Sequence, residues 1–511
     1  MHSLKFVQLL LLLSCVVAVQ AQKSYYLSNS GIDDSEGSQA KPWKTITRLN
    51  HQLLVPGDRV YFNGGDVFEG TIQLDSTEWG TAARPIELNA YGRGPAHIKS
   101  GAAEGLRLTN TRFIALKNLA FHGLGRKEGN TSQGVNIAYS KYITARNLDI
   151  QGYQKAGLLF YCSSYCRADA VYAHDNGAAG ILVSGEKDKS DCYDIKLTSC
   201  RAENNPGDPT QLENHSGNGI LVGLCRKVVV TNCVATNNGW DMPRIGNGPV
   251  GIWAYEADSV IIEHCISYRN KTSVGGEDGG GFDLDGGITN SIIQYCLSYE
   301  NQGGAFGIFQ YAGASNWYNN IIRFNISEND GEVSTAHAGV YVWNSSNDAK
   351  QFNKCYFYNN IIYNSRGAAI RYATESTHSE FFFLNNIFVG HDSLLKGNYD
   401  SSQFYGNNWW SMVGEFRVDE FASLDSWARA KKKEWRNDQV TGFQIEPDFH
   451  HPGKTNITKA DSLAHFDNYR YNKVPAFLYK GVDVEKLAGM KTLQKDFLGN
   501  RIGKGFVGAV R

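Results

Sequence analysis

The chain has no surplus of either charge. Its 50 Lys and Arg stand against 51 Asp and Glu, a formal net charge of −1 over 511 residues. That balance argues against nucleic acid or an anionic membrane surface as the main partner. Long apolar runs are equally scarce, and beyond the N-terminus none approaches the ~18 apolar residues that a membrane span requires. Helical periodicity is missing through the middle of the chain, from about residue 115 to 390. The cysteines do not form an even set either. Ten minus Cys15 leaves nine, so they cannot all pair with one another. Cys162 and Cys166 are loosely spaced and lack a second CxxC, which disfavours zinc.

One apolar run is present, at the start. MHSLKFVQLLLLLSCVVAVQA has a single Lys, a run of leucines and a Val-Gln-Ala ending, and reads as a signal peptide cleaved near Ala21. A lipid anchor at Cys15 is the alternative, but the apolar run continues past it through Val16, Val17 and Ala18. The expected protein is therefore secreted or periplasmic, without a membrane span, and a monomer.

What fills the centre is a repeat. SCRAENN, NCVATNN, HCISYRN, YCLSYEN and FNISEND begin a series around Cys200, Cys233, Cys265, Cys296 and Asn325, with related copies from Asn118 to Asn386 at steps of 24 to 35 residues. A second motif, Gly-apolar-x-apolar-x, runs out of phase with it: GVNIA, GLLFY, GILVS, GILVG, GIWAY, GFDLD, GIFQY, GVYVW and AIRYA. Short strands at a bounded period, with nothing helical between, predict a parallel β-helix in which like positions stack into columns. The cysteine column then reads as a ladder of interior side chains. Cys192 and Cys225, each eight residues before a ladder cysteine, stack or bond between coils.

The opening YYLSNSGIDDSEGSQAKPWKTI (25–46), PGDRVYFNGGDVFEG (56–70) and the closing KDFLGNRIGKGFVGA (495–509) resemble the first strand and cap, first coil and C-terminal strand of secreted right-handed parallel β-helix proteins. These are the pectin-lyase-like group of polysaccharide lyases and glycoside hydrolases. The resemblance implies an all-β solenoid with carbohydrate as substrate. The expected organisation is a leader over 1–21, an N-terminal cap and first coils over 22–100, the β-helix over 101–400, and a segment over 401–511 that packs back on it. A charged stretch at 423–438 is expected to be helical.

In the second motif the apolar positions point inward and both x positions outward. Reading the outward pairs along the stack gives Trp253 and Tyr255, Asp283 and Asp285, Phe309 and Tyr311, Tyr341 and Trp343, then Arg371 and Ala373. Two acids thus sit within an aromatic strip roughly 15–20 Å long, given about 4.8 Å per coil. Flat rings with a polar edge suit sugar rings; the alternative is that they pack beneath a loop. Inserts at 205–218, 238–249, 270–280 and 329–338 lie on one edge of this column. They offer Glu213, His215, Trp240, Asp241, Arg244, Glu277, Asp278, Glu332 and His337 as walls of a cleft. Arg244, His337 and Arg371, with the six aromatics, are the expected substrate contacts.

Asp278, Asp283 and Asp285 are the expected catalytic residues. Close carboxyl groups drive their proton affinities apart, giving one acid and one base near neutral pH. Residues i and i+2 on a strand are about 6.5–7 Å apart, which suits a glycosidase pair. EDGGGFDLDGG resembles the aspartate-bearing strand of β-helix glycoside hydrolases of the lacto-N-biosidase type, and that likeness implies Asp278 and Asp285 as the working pair. The expected function is a glycoside hydrolase without a cofactor. The first alternative is a polysaccharide lyase in which Asp283, Asp285 and Glu277 hold Ca²⁺ while Arg244, Lys271 or Arg371 removes a proton. The second is a non-catalytic glycan-binding β-helix.

Overall fold

The computed structural model describes residues 22–189, 191–331, 338–374 and 376–511. The expected leader, Cys15, Glu332 and His337 lie outside the described residues. The chain winds as a parallel β-helix, as its repeats imply. Each coil contributes one strand to each of three sheets, of 14, 13 and 12 strands among the described residues. The three sheets enclose one apolar column, with Phe121, Ile150, Ile252, Phe282, Phe306 and Phe357 all wholly buried.

The corner between the 14- and 13-stranded sheets is turned by one left-handed residue per coil. Ala170, Ser199, Asn232, His264, Tyr295, Phe324, Asn359 and Asn385 have φ between 52° and 55°. The residue after each points inward, and from Cys200 onward these residues form the cysteine–asparagine ladder. The Cys200 N–H donates to Cys233 Sγ at 3.4 Å and the Cys296 N–H to Asn325 Oδ1 at 2.9 Å; the column continues through Asn360, Asn386 and Asn407. The ladder therefore occupies a corner between two strands, where a turn leaves backbone N–H groups without ladder partners, rather than the interior of a strand. All nine described cysteines are free. Cys192 and Cys225 stack as thiols, with their sulfurs 2.8 Å apart. Cys355, for which the repeats gave no place, faces the core of the 14-stranded sheet beside Phe381.

A second ladder sets up the site. Asn176, Asn205, Asn238, Asn270, Asn301 and Asp330 are buried one above another, joined by side-chain amide bonds of 2.8–3.2 Å. Asn205, Asn238 and Asn270 stand at the roots of three inserts, so each wall loop springs from a fixed point.

After the last coil, the helix Leu424–Lys431, capped by Ser423, buries Trp427 against Tyr399, Phe404 and Trp409 and closes the apolar column. The chain then lies along the outer face of the 13-stranded sheet, setting Phe449, Leu463, Phe466 and Tyr469 against Ile266, Leu297, Tyr299 and Ile326. Buried Glu328 anchors this segment, accepting from Gly453 N–H (3.0 Å), Thr455 N–H (2.8 Å), Thr455 Oγ1 (2.7 Å) and Tyr469 OH (2.8 Å). The strand expected over 495–509 does not form. Asp496 there gathers the N–H groups of Leu498, Asn500 and Arg511, which bends the chain into turns.

Candidate active site

The 12-stranded sheet carries the aspartate strand, Gly280–Leu284. Alternation acts as expected: Phe282 and Leu284 enter the core, while Asp283 and Asp285 face the other way. Trp253 lies beside Asp283 in register. On the next coil the outward column differs from the sequence reading. Asp283 pairs with Gly307, and Gly307 with Tyr341, so GIFQY is displaced by two residues. Phe309 therefore continues the Asp285 column toward Trp343, and Tyr311 sits past the strand end Gln310. The cause is Phe306, which takes the core position beside Phe282, their rings stacked 5.9 Å apart. Gly307 then faces the acids, and a Cβ on it would stand 2.8 Å from Asp283 Oδ1.

The cleft has a volume of about 600 Å³. Asp278, Asp283 and Asp285 are in its floor, and Tyr255, Phe309, Tyr311, Tyr341 and Trp343 are along its sides. The inserts complete it with Asn214 and His215, Asn247 and Gly248, and Glu277. Phe309 meets Tyr341 edge-on at 5.5 Å and Trp343 at 6.2 Å, so one ring holds the next. Trp253 lines the cleft but is only 3 % exposed. The insert lays His215 against it at 4.9 Å and 71°, so for this ring packing beneath a loop prevails.

Two expected contacts stand away from the cleft lining. Arg244 folds back on its own loop, its Nη1 donating to the Asn247 carbonyl at 3.1 Å. Arg371 pairs in register with Tyr341 on the coil beyond. Trp240 and Asp241 are also drawn off. Asp241 forms ion pairs with Arg126 and Lys127, and the Trp240 indole donates to Asn204.

The three acids differ in their surroundings. Asp283 is 3 % exposed, its Oδ1 has no hydrogen-bond partner, and burial, with Asp285 and Asp278 beside it, pushes its carboxyl well above the usual range. Burial raises Asp278 to about 7, against the opposing pull of the Gly248 N–H, which donates to its Oδ2 at 2.8 Å. Asp278 has φ +60°, a position asparagine and aspartate tolerate and a mark of local strain. Burial raises Asp285 to about 6, against the Gly286 N–H that donates to its Oδ1 at 2.7 Å. The charge of Glu256 on the neighbouring coil adds to that rise. Glu256 itself accepts from Ser315 N–H at 2.9 Å and Tyr311 OH at 3.5 Å. Neither the outward column nor the inserts pointed to Glu256, and Gly307 was hidden by the two-residue displacement; the clue to it was the second apolar residue, Phe306, just before the motif.

Glu277, Asp283 and Asp285, the set named for calcium, all line the cleft. Among the described residues, no three His, Cys, Asp or Glu side chains are grouped to hold a metal ion. Nor is any of those residues part of a helix long and apolar enough to cross a membrane.

Residues 25–333 match the family described as the Pel9A-like, right-handed β-helix region. The chain belongs to that family. Solved structures similar to this family member include a GH136 lacto-N-biosidase from Eubacterium ramulus, with 15 % identity and TM-score 0.40, over 69 % of this chain and 64 % of that one. The chain thus spans just under two thirds of that enzyme's length. An alginate lyase from Paenibacillus sp. str. FPU-7 has 15 % identity and TM-score 0.38, over 63 % and 91 %. The pectate lyase Pel9A has 14 % identity and TM-score 0.39, over 87 % and 97 %. No curated protein matches this chain.

Proposed function

We propose that this protein is an exported glycoside hydrolase that cleaves an oligosaccharide or polysaccharide with acid–base chemistry from its aspartates. The observation that carries this reading is the set of three carboxyl groups in one aromatic-walled cleft, all raised by burial and set apart by the N–H bonds that Asp278 and Asp285 receive and Asp283 does not. Near neutral pH Asp278, raised to about 7, retains a proton for the glycosidic oxygen. Asp285, raised only to about 6, is ionised and serves as nucleophile or as base toward water. Asp283, the most buried of the three, stays neutral beside them, and its charge-free carboxyl spares the pair a third negative charge. Among the described residues that line the cleft there is no Lys or Arg to take the proton of a uronate.

One observation favours a second reading. The family takes its name from Pel9A, and the solved Pel9A is named as a pectate lyase. Incubating the protein with neutral and acidic polysaccharides, with and without EDTA, separates the two. Reducing ends formed without an unsaturated-uronide absorbance, and unaffected by chelation, support the hydrolase. A chelator-sensitive rise in that absorbance establishes the lyase instead.

A further inference from the structure

The cleft holds one polar ring whose hydrogen-bond partners determine its protonation. Asn218 begins the strand Asn218–Gly223 and is buried. The Trp253 indole N–H reaches it at 2.9 Å, and the Val250 N–H at 3.4 Å. Both groups can only donate, so the Asn218 atom facing them is Oδ1. The Asn218 amide nitrogen then faces the Ala178 carbonyl at 3.2 Å and His215 Nδ1 at 3.1 Å. An amide nitrogen only donates, so Nδ1 must accept and carries no proton. The neutral ring therefore has its proton on Nε2. Burial, with the nearby Arg244 charge, lowers the His215 pKa to about 4, which keeps the ring neutral. Nε2 has no hydrogen-bond partner among the described residues, and His215 lines the cleft above Trp253.

We infer that His215 is a substrate-contacting residue that donates a fixed Nε2–H bond to an acceptor oxygen, hydroxyl or acyl carbonyl, of an uncharged sugar unit beside the aspartates. This rests on the glycan-cleft reading above. A neutral donor fits a neutral sugar, and the acids of the floor disfavour an anionic one. Asn218 acts through His215 as a positioning residue. It selects the tautomer, because the opposite amide orientation would set its donor against the Trp253 indole.

Selective ¹⁵N-histidine labelling of the full chain, with His215→Phe to assign the signal, reads the tautomer directly. The expected spectrum at neutral pH has a protonated Nε2 and a bare Nδ1. In Asn218→Asp a carboxylate faces the ring and the proton is expected to move to Nδ1 or the ring to become charged. A wild-type ring that is already charged, or protonated on Nδ1, overturns the inference.

Contact is tested in an Asp285→Asn background with N-acetylchitotetraose, cellotetraose, β-1,4-galactotetraose and, as the acidic arm, tetragalacturonate. Losing one hydrogen bond is expected to weaken binding of a neutral probe about five- to tenfold in His215→Phe, with partial recovery in His215→Gln. A neutral probe that binds with His215 unmoved and His215→Phe unaffected overturns the contact but leaves the cleft reading intact. Preference for the acidic probe overturns the substrate class. Binding of none of the four, together with no cleavage by the wild type, brings down the glycan-cleft reading, while the tautomer stands or falls on its own spectrum.

Discussion

Replacing Gly307 by alanine probes the cleft with a single methyl group. Gly307 lies outside the left-handed region, so its backbone accepts alanine without strain, and the only obstacle is space. The new Cβ would meet Asp283 Oδ1 at 2.8 Å, Asp283 Cγ at 2.9 Å and Phe309 Cε2 at 2.8 Å, all closer than a Cβ tolerates. Something has to move. No hydrogen bond restrains Asp283 Oδ1, so its carboxyl group yields first and shifts toward Asp278 and Asp285. Overpacking costs about 1–3 kcal/mol, offset by the roughly 0.5–1 kcal/mol gained when glycine leaves a strand. The fold is therefore expected to survive with about 0–2.5 kcal/mol lost. Catalysis is more sensitive, since a displacement near 1 Å costs on the order of 10²-fold. The assay is kcat/KM on a cleaved glycan alongside thermal melting. A double substitution with Asp283→Ala should recover part of the lost stability, because it removes two of the three atoms that are struck and leaves only Phe309 Cε2. Wild-type kcat/KM and pH profile in Gly307→Ala would refute the placement of Asp283 in the working site.

Other consequences can be checked independently. With Asp285 titrating at about 6 and Asp278 at about 7, kcat/KM is expected to peak between those values, falling on the acid side as Asp285 gains a proton and on the alkaline side as Asp278 loses one. The same two raised values contribute stability that is full below the ordinary carboxylate range and is lost as pH rises through about 6 to 7, so Asp278→Asn and Asp285→Asn should melt higher than wild type above pH 7 but not at acid pH; equal melting there contradicts the burial argument. Asn325→Ala strands the Cys296 N–H and the Ile293 carbonyl and should cost about 2–4 kcal/mol, whereas Cys296→Asn, which extends the asparagine column by one coil, should cost under about 1 kcal/mol by denaturant unfolding. Glu328→Gln halves the acceptor capacity for four donors, so limited proteolysis should release the 443–511 segment earlier than in wild type.

The repeats made the solenoid legible because its geometry forces a period. One strand per sheet per coil and left-handed residues at fixed corners leave columns that persist in sequence even where the residues differ. The cysteine ladder and the outward aspartates were readable for that reason, and so were the inserts that wall the cleft. What failed followed from packing that no periodicity encodes. At Gly307 a second aromatic, Phe306, takes the core position and slides the motif by two residues, which moved Phe309 and Tyr311 from their expected places. Arg244 had the right loop but the wrong direction, because its guanidinium finds Asn247 before it can reach the cleft. Trp253 was read as a sugar platform, but the 205–218 insert folds His215 over it. The stretch 495–509 was expected as a strand from its resemblance to the C-terminal strand of β-helix proteins, and Asp496 bends it by collecting N–H groups that a strand would have used for its ladder.

The central claim is that Asp278 and Asp285 perform the proton chemistry on a bound glycan. The measurement that bears on it most directly is single-turnover hydrolysis by Asp278→Asn and Asp285→Asn, with glycan affinity measured in parallel. Each substitution is expected to lower the rate by about 10²–10⁴-fold while affinity stays within a few-fold of wild type. Wild-type rates in both variants, or a loss of rate fully explained by lost binding, would contradict it.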